Sequence, residues 1–176
     1  MPPISYIYNK AWVQHDDFHP LSIDDCMALL KEVKPILDPD LFLFAYADKE
    51  PVGFFLGLPD ANQLLRYAKG DLNGPGMLRV LLRKPFTPMP NVYGIIFGVI
   101  PEYQLKGIES GLAASIHDAI RKSRKYKQIE LLWIGDFNKK MLNFVEHIQA
   151  KKLRTLITYR KIFDASIPFE RCPYVE

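Results

Sequence analysis

The stretch GVIPEYQLKGIESGLAASI, residues 98–116, runs from a β-like apolar segment through a turn into a helical pattern. Gln104, Lys106 and Gly107 stand at this junction. The first turn of a helix carries unpaired backbone amides and a partial positive charge, so it attracts anions such as phosphate. Glycine is also common at an ordinary strand–helix corner. From these residues alone, the junction is either an anion cradle or a plain turn.

The composition is that of a single globular domain. The 176 residues are 48% apolar and 24% charged, and the formal net charge is +3. This charge allows an anionic small-molecule ligand but is too weak to indicate nucleic acid, so we expect no nucleic-acid partner. We also expect no membrane partner, because no segment reaches the roughly 18 apolar residues of a membrane span.

Cysteine and histidine usage indicates neither a disulfide framework nor a metal site. The two cysteines, Cys26 and Cys172, lie far apart, and no Cys/His spacing resembles a zinc site. His15 and His19 flank two aspartates, but a solvated loop explains them better than a metal. We therefore expect no metal and a reduced, cytoplasmic location.

The first half of the chain predicts two helices and a hairpin. ISYIYNKAW reads as a short helix, and LSIDDCMALLKEVKPIL as a second one with Ser22 at its N-cap. The apolar stripe predicted for this second helix is Cys26, Leu29, Leu30 and Val33. Residues 41–47 and 52–58 are apolar runs typical of buried strands, joined by a DKEP turn. Gly53 and Gly57 within the second strand indicate a bulge or a close backbone approach.

Residues 59–90 give a weaker signal. DANQLLRYAKG is compatible with a helix, and a further short helix is predicted over residues 78–83. The mixture of Gly, Pro and basic residues is typical of a mobile or partner-facing region, although a plain surface excursion is the simpler interpretation.

The second half alternates strands and helices. We predict strands at 92–100 and 129–134, an amphipathic helix marked by Ile108, Leu112, Ile116 and Ile120, and a closing strand in TLITYRKIF. Asn138 is placed to cap a further helix, whose apolar face is Met141, Leu142, Val145 and Ile148. The alternation predicts an α/β layered domain over residues 1–176, with 165–176 as a C-terminal tail.

The junction and the order of elements resemble the GNAT superfamily of acyl-CoA-dependent N-acyltransferases. The pyrophosphate loop of that family reads Gln/Arg-x-x-Gly-x-Gly/Ala after a strand that ends in Val-x-Pro; Val99, Pro101, Gln104 and Gly107 match it. A less characterised bacterial subgroup, in which the module is often the C-terminal half of a longer protein, is similar through YNKAW, KPILDPDLFLFAY, PVGFFLGLPDANQ, GVIPEYQLKGIE and DFNKKM. The resemblance covers residues 6–163. It implies a three-layer fold with a mixed, mostly antiparallel sheet, a splayed parallel strand pair, and helices on both faces.

The resemblance also implies a site and an activity. Acetyl-CoA or another acyl-CoA would lie between strands 92–100 and 129–134, with its pantetheine amides on the backbone near residue 99 and its pyrophosphate on the amides of 104–109. The acyl group would pass to an unidentified small-molecule or peptide amine. The alternative is a GNAT-fold module of weak or no activity that binds CoA or serves assembly. The cofactor-binding residues expected on this basis are Gly98, Val99, Ile100, Gln104, Leu105, Lys106, Gly107, Ile108, Glu109 and Asn138.

Two positions depart from the family pattern. Glu109 places a carboxylate where a small residue belongs; it opposes phosphate unless it turns away or pairs with Lys106, and it also suits the first turn of a helix. Many members carry a tyrosine seven positions after the Asn as the acid for the leaving thiolate, but counting from Asn138 reaches Val145. Asp136 is the weak catalytic candidate that remains, and a loop cap beside Asn138 explains it equally well.

The resemblance further places the family's first strand before Met1. A missing strand would leave a sheet edge uncovered, which folded proteins usually avoid. We therefore expect a homodimer, or a tail at 165–176 that folds back over the sheet.

Overall fold

The structure is a computed structural model that describes residues 3–13, 18–164 and 166–168. The chain divides into two compact units, Met1–Leu132 and Trp133–Glu176, and each is described by itself. In the described residues, no helix is long and apolar enough to cross a membrane.

Two helices open the first unit, as the sequence predicts. Helix α1 spans Pro3–Ala11 and buries Ile4, Ser5 and Ile7. Helix α2 spans Ile23–Val33. The Ser22 hydroxyl accepts from the Asp25 backbone N–H at 3.1 Å and donates to the Asp25 carboxylate at 2.6 Å, which satisfies the first turn. Cys26 is buried and reduced, whereas Leu29 of the predicted stripe is exposed.

The predicted hairpin is present, with a tighter turn. Strand β1 spans Phe42–Ala47 and β2 spans Glu50–Pro59, and their antiparallel ladder closes at the pair Ala47 and Glu50. Two residues therefore form the turn, and one of them, Asp48, takes a positive φ of 53° as such turns require. A Cβ on Gly53 would approach the side chain of Ile108 to 3.1 Å, so the glycine allows close packing.

Between β2 and the next strand lies a small helical segment with its own core. Helix α3 spans Asn62–Leu65, a single 3₁₀ turn follows at Arg66–Ala68, and α4 spans Gly74–Arg83. Leu64, Ala68 and Val80 form a separate buried cluster. Helix α4 begins earlier than the predicted 78–83, since Pro75 suits a first helical turn. A Cβ on Gly76 would lie 1.6 Å from the Asp71 carbonyl oxygen, so only glycine fits there.

The remaining elements of the first unit complete a four-stranded sheet. Strand β3 spans Asn91–Val99, helix α5 spans Ile108–Ser123, and β4 spans Gln128–Leu131. The sheet order is β1-β2-β3-β4, with antiparallel pairs β1–β2 and β2–β3 and a parallel pair β3–β4. The predicted strand 129–134 is thus shorter at its C-terminal end.

The helices of this unit cover both faces of the sheet. Side chains of successive strand residues point to opposite faces. Phe54 packs in a cluster with Ile7 and Cys26 of α1 and α2, and its neighbour Phe55 packs with Ile116 and Ile120 of α5. The predicted three-layer α/β architecture with a mixed sheet is therefore confirmed.

The second unit contains helix α6, Lys139–His147. The predicted strand TLITYRKIF is wrong, because residues 151–162 have no regular secondary structure and residues 150–161 are exposed. Tyr159 within this segment is exposed as well. The residues of this segment suit a strand. A strand forms, however, only where a neighbouring strand pairs with its backbone N–H and C=O groups. Of the predicted tail, residues 165 and 169–176 lie outside the described residues.

Candidate functional site

Strand β3 continues beyond the end of its pairing with β4. Their ladder runs from Asn91 and Gln128 to Gly94 and Leu131, with a last bond from the Leu132 N–H to the Gly94 carbonyl at 3.3 Å. In the described residues, no strand pairs with 95–99 on this side. The parallel pair that the resemblance implies is therefore present, and its splaying stays a prediction.

A β-bulge lies where the pairing of β3 with β4 ends. On the β2 side, Leu56 pairs with Ile96 and Gly57 pairs with Gly94, so Ile95 is an extra residue in β3. A bulge bends its strand and ends pairing. A Cβ on Gly94 would approach Leu131 to 2.8 Å, so glycine permits the close contact at the last pair. The bulge predicted at Gly57 is present at this point of the ladder, since the register shifts between Leu56 and Gly57, although the extra residue belongs to β3.

Of residues 98–100, Val99 directs its backbone toward the opening beside β3. The Ile100 N–H donates to the Val52 carbonyl at 2.9 Å, and antiparallel ladders alternate their bonding direction. Gly98 therefore also bonds toward β2, and the N–H and carbonyl of Val99 face away from it. The side-chain amide of Gln104 donates to the Val99 carbonyl at 3.0 Å, which holds the loop against the strand end.

The loop before α5 contains two left-handed residues. Leu105 has φ +59° with its side chain 98% exposed, and Gly107, the N-cap of α5, has φ +86°. A leucine in this region costs roughly 1–3 kcal/mol and persists only where its surroundings hold it. Such turns bring successive backbone N–H groups to one side and form concavities that bind anions. A Cβ on Gly107 would meet no atom within 4 Å, so the space beside it is open.

Glu109 occupies part of this loop. Its carboxylate accepts a hydrogen bond from the Leu105 N–H at 3.2 Å. The Lys106 ammonium lies 5.2 Å from the centroid of the Tyr103 ring. The backbone of the loop fits a diphosphate, and Glu109 is the group that opposes one.

The candidate residues of the second unit are placed around the start of α6. The Asn138 side-chain oxygen accepts from the Met141 N–H at 3.0 Å, which confirms it as the N-cap. Asp136 lies in the exposed turn before it, and Val145 is half-buried in α6. The roles of Asp136 and Asn138 toward a ligand stay predictions. The described residues contain no cluster of three or more possible metal ligands.

Comparison with known sequences finds two curated relatives over most of the chain. Protein YghO of Escherichia coli is 27% identical over 88% of this chain, and the bacterial ceramide synthase of Caulobacter vibrioides is 26% identical over 90%. The chain spans 40% and 42% of their respective lengths. No family model matches.

Solved structures resemble the chain over nearly all of its length. The aminoglycoside acetyltransferase meta-AAC0020, from an uncultured soil metagenomic sample, aligns with a TM-score of 0.57 at 13% identity and covers 92% of this chain and 87% of its own. The 6'-N-acetyltransferase AAC(6')-IG of Acinetobacter haemolyticus gives 0.55 at 14%, covering 92% of each. AAC(6')-Iy, solved with a CoA-containing bisubstrate analogue, gives 0.54 at 17%, covering 91% and 90%. With its mixed sheet and parallel pair, the chain has the GNAT fold.

Proposed function

We propose that the chain is an acyl-CoA-dependent N-acyltransferase module. The observation that carries the proposal is the stretch of β3 that continues beyond its last pair with β4 at Gly94, next to a left-handed loop that opens α5. A strand end with outward-facing amide groups suits the pantetheine arm, which carries amides of its own and can add to the edge like a strand. The loop amides suit the diphosphate.

The reaction requires little covalent chemistry from the protein. The amine nitrogen of the acceptor attacks the thioester carbonyl carbon, an amide C–N bond forms, and the C–S bond breaks to release CoA thiolate. One proton leaves the attacking amine and one reaches the thiolate. Positioning of the two substrates supplies most of the acceleration in such a reaction. Asp136 is our candidate for accepting the proton from the amine.

The second candidate function is CoA binding with slow or absent turnover. Val145 favours it, because valine has no proton to give at the position where the resemblance expects a tyrosine, and Phe144 beside it has none either. A positioned general acid contributes about 10²–10⁴-fold in rate. Its loss slows the aminolysis of a thioester without preventing it.

The name of one curated relative suggests an acceptor class that differs from that of the structural neighbours. The relative named bacterial ceramide synthase shares 26% identity over 90% of this chain, whereas the aminoglycoside enzymes stand at 13–17%. A ceramide is the N-acyl derivative of a long-chain amino alcohol. Long-chain amino alcohols are therefore the acceptors that we propose to test first, ahead of aminoglycosides.

Calorimetry and thiol release test both candidates. The protein is titrated with CoA, acetyl-CoA and long-chain acyl-CoAs, and the release of free CoA thiol is then followed with long-chain amino alcohols, aminoglycosides and small peptides. Binding with amine-dependent thiol release supports the transferase. Binding without release favours the second candidate, and no binding to any of these compounds would reject both.

A further inference from the structure

Helix α4 turns three leucines away from its own core. Leu78, Leu81 and Leu82 are 57%, 53% and 64% exposed, whereas Val80 and Gly76 on the other side of the helix are buried. With 100° per residue, the three leucines lie opposite Val80, on a contiguous outer strip. We call this strip the α4 outer face. A surface helix normally shows the reverse arrangement, with polar residues outward.

Cations surround this face. Residues 62–87 carry five cationic side chains and one acidic residue, Asp71. On the helix, Arg79 and Arg83 lie on one flank of the outer face, and Lys84 follows on the other flank. The five cations are Arg66, Lys69, Arg79, Arg83 and Lys84.

Positive charge is concentrated at one flank, around Tyr67. Arg66, Lys69, Arg79, Leu82 and Arg83 line a surface pocket of about 450 Å³ together with this tyrosine. The Arg66 guanidinium donates to the Tyr67 hydroxyl at 3.2 Å, and the guanidinium carbons of Arg66 and Arg83 lie 5.1 and 5.3 Å from its ring centroid. The hydrogen bond from Arg66 lowers the pKa of Tyr67. Among the ion pairs between described residues, none involves these cations.

Helix α2 shows that exposed apolar residues alone do not identify such a surface. Ile23, Met27 and Leu29 of α2 are also exposed, but Asp24, Asp25 and Glu32 stand among them. An anionic surface would repel that helix and attract α4. The combination of outward leucines and flanking cations is therefore specific to the α3–α4 segment in this comparison.

We propose that the α4 outer face and its cations dock on an anionic phospholipid bilayer. Interfacial helices of this kind bury their apolar face about 5–10 Å into the boundary between headgroups and acyl chains, with basic residues at the phosphates. The leucines would enter that boundary, and the pocket around Tyr67 would lie at the lipid phosphates. This association is peripheral. It departs from our expectation of no membrane partner, which rested on the lack of a spanning segment.

Charge also disfavours other occupants. A symmetric dimer through this face would bring the same cations of two copies together, because a two-fold interface uses one patch on both subunits. Nucleic acid would satisfy the cations but would leave the leucines in water. A bilayer of anionic phospholipid matches both components at once.

Vesicle flotation tests the proposal on the full chain. We expect binding to vesicles of mixed phosphatidylglycerol and phosphatidylcholine and little binding to phosphatidylcholine alone. Replacing Leu78, Leu81 and Leu82 together by Gln should lower the affinity at least tenfold. The double change Arg79→Gln and Arg83→Gln should lower it about 25-fold, since each cation near an anionic surface contributes about fivefold. These side chains are exposed, so the melting temperature should not change.

Matched variants and competitors decide the outcome. Met27→Gln with Leu29→Gln removes exposed apolar groups from α2, and Arg121→Gln with Lys122→Gln removes two cations from the end of α5. Both should leave vesicle binding unchanged. Equal binding to neutral vesicles, equal loss in the control variants, full competition by inorganic phosphate, or self-association through this face without vesicles would each overturn the proposal.

Discussion

Two regions of this molecule are suited to phosphate, and they are built in opposite ways. The loop before α5 offers backbone amides shaped by left-handed Leu105 and Gly107, and the Glu109 carboxylate accepts a hydrogen bond from one of them, the Leu105 N–H. The α3–α4 segment offers cationic side chains around exposed leucines. We therefore expect the loop to distinguish ligands by shape and the segment to respond to the charge density of a surface.

The largest effect that we expect distinguishes binding of acyl-CoA by the loop from catalysis of the acyl transfer. If the loop only binds CoA and the acid for the thiolate is missing, Val145→Tyr should raise thiol release by about 10²–10⁴-fold. Val145→Phe has similar bulk but no hydroxyl and serves as the control. Turnover at ordinary enzyme rates in the wild type, with no gain in the tyrosine variant, would show that the site does not lack a proton donor for the thiolate.

The next substitution alters the loop before α5 and leaves the α3–α4 segment unchanged. Gly107→Val should lower acyl-CoA affinity by at least about 100-fold, because a side chain would enter the open space where backbone and diphosphate meet. Vesicle binding should persist. The measurement is calorimetry with acetyl-CoA.

Gly70 provides a matched control for this change. It has φ +84°, close to that of Gly107, and a Cβ there would also meet no atom within 4 Å. Gly70→Val should therefore cost similar stability, seen as a similar drop in melting temperature, and leave acyl-CoA affinity unchanged. If the two variants lower acyl-CoA affinity equally, backbone strain at a left-handed position explains the lower affinity, and the loop before α5 is not the anion-binding site.

A smaller gain is expected from Glu109→Gln. Glutamine keeps an oxygen for the Leu105 N–H but removes the charge that opposes a diphosphate. Removing one like charge at close range should raise acyl-CoA affinity about tenfold. Glu109→Ala, which also removes the hydrogen bond, should gain less. Unchanged or weaker binding in the glutamine variant would mean that the carboxylate turns away when the ligand binds.

The smallest expected difference concerns salt. Raising the ionic strength shortens the range of exposed charges from about 10 Å at 0.1 M to about 3 Å at 1 M. Over that interval we expect vesicle binding to fall by at least about 25-fold, because salt screens all the cations of the segment, and acyl-CoA binding by about threefold, both followed by titration. The same dependence for the two ligands would remove the distinction between shape and charge.

Local features of the site could be predicted from the sequence, and features that need a second chain segment could not. The turn at Gly107, the helix after it and the N-cap at Asn138 depend on neighbouring residues, and all three are present. The bulge at Ile95 depends on how β3 registers with β2. Leucine is not a residue that signals a positive φ, so the left-handed conformation of Leu105 could not be predicted from the sequence.

The strand wrongly predicted at residues 155–163 and the α4 outer face also depend on contacts with other parts of the chain. Residues 155–163 have the composition of a strand, but composition does not supply a partner edge. The sequence predicts a short helix over residues 78–83 but not which side of it is buried. Which side of a helix is buried depends on what it packs against, and here the small cluster around Leu64 and Val80 takes the other side.

The close approach at Gly76 sets the rotation of α4 about its own axis. Because the Asp71 carbonyl oxygen occupies the place where a Cβ would be, the helix backbone lies directly against that loop. Rolling the helix to bring Leu78 or Leu82 inward would move Gly76 away from this contact and drive a larger residue into it. This contact therefore fixes the rotation of α4 about its axis. Its three exposed leucines face outward whether or not a binding partner covers them.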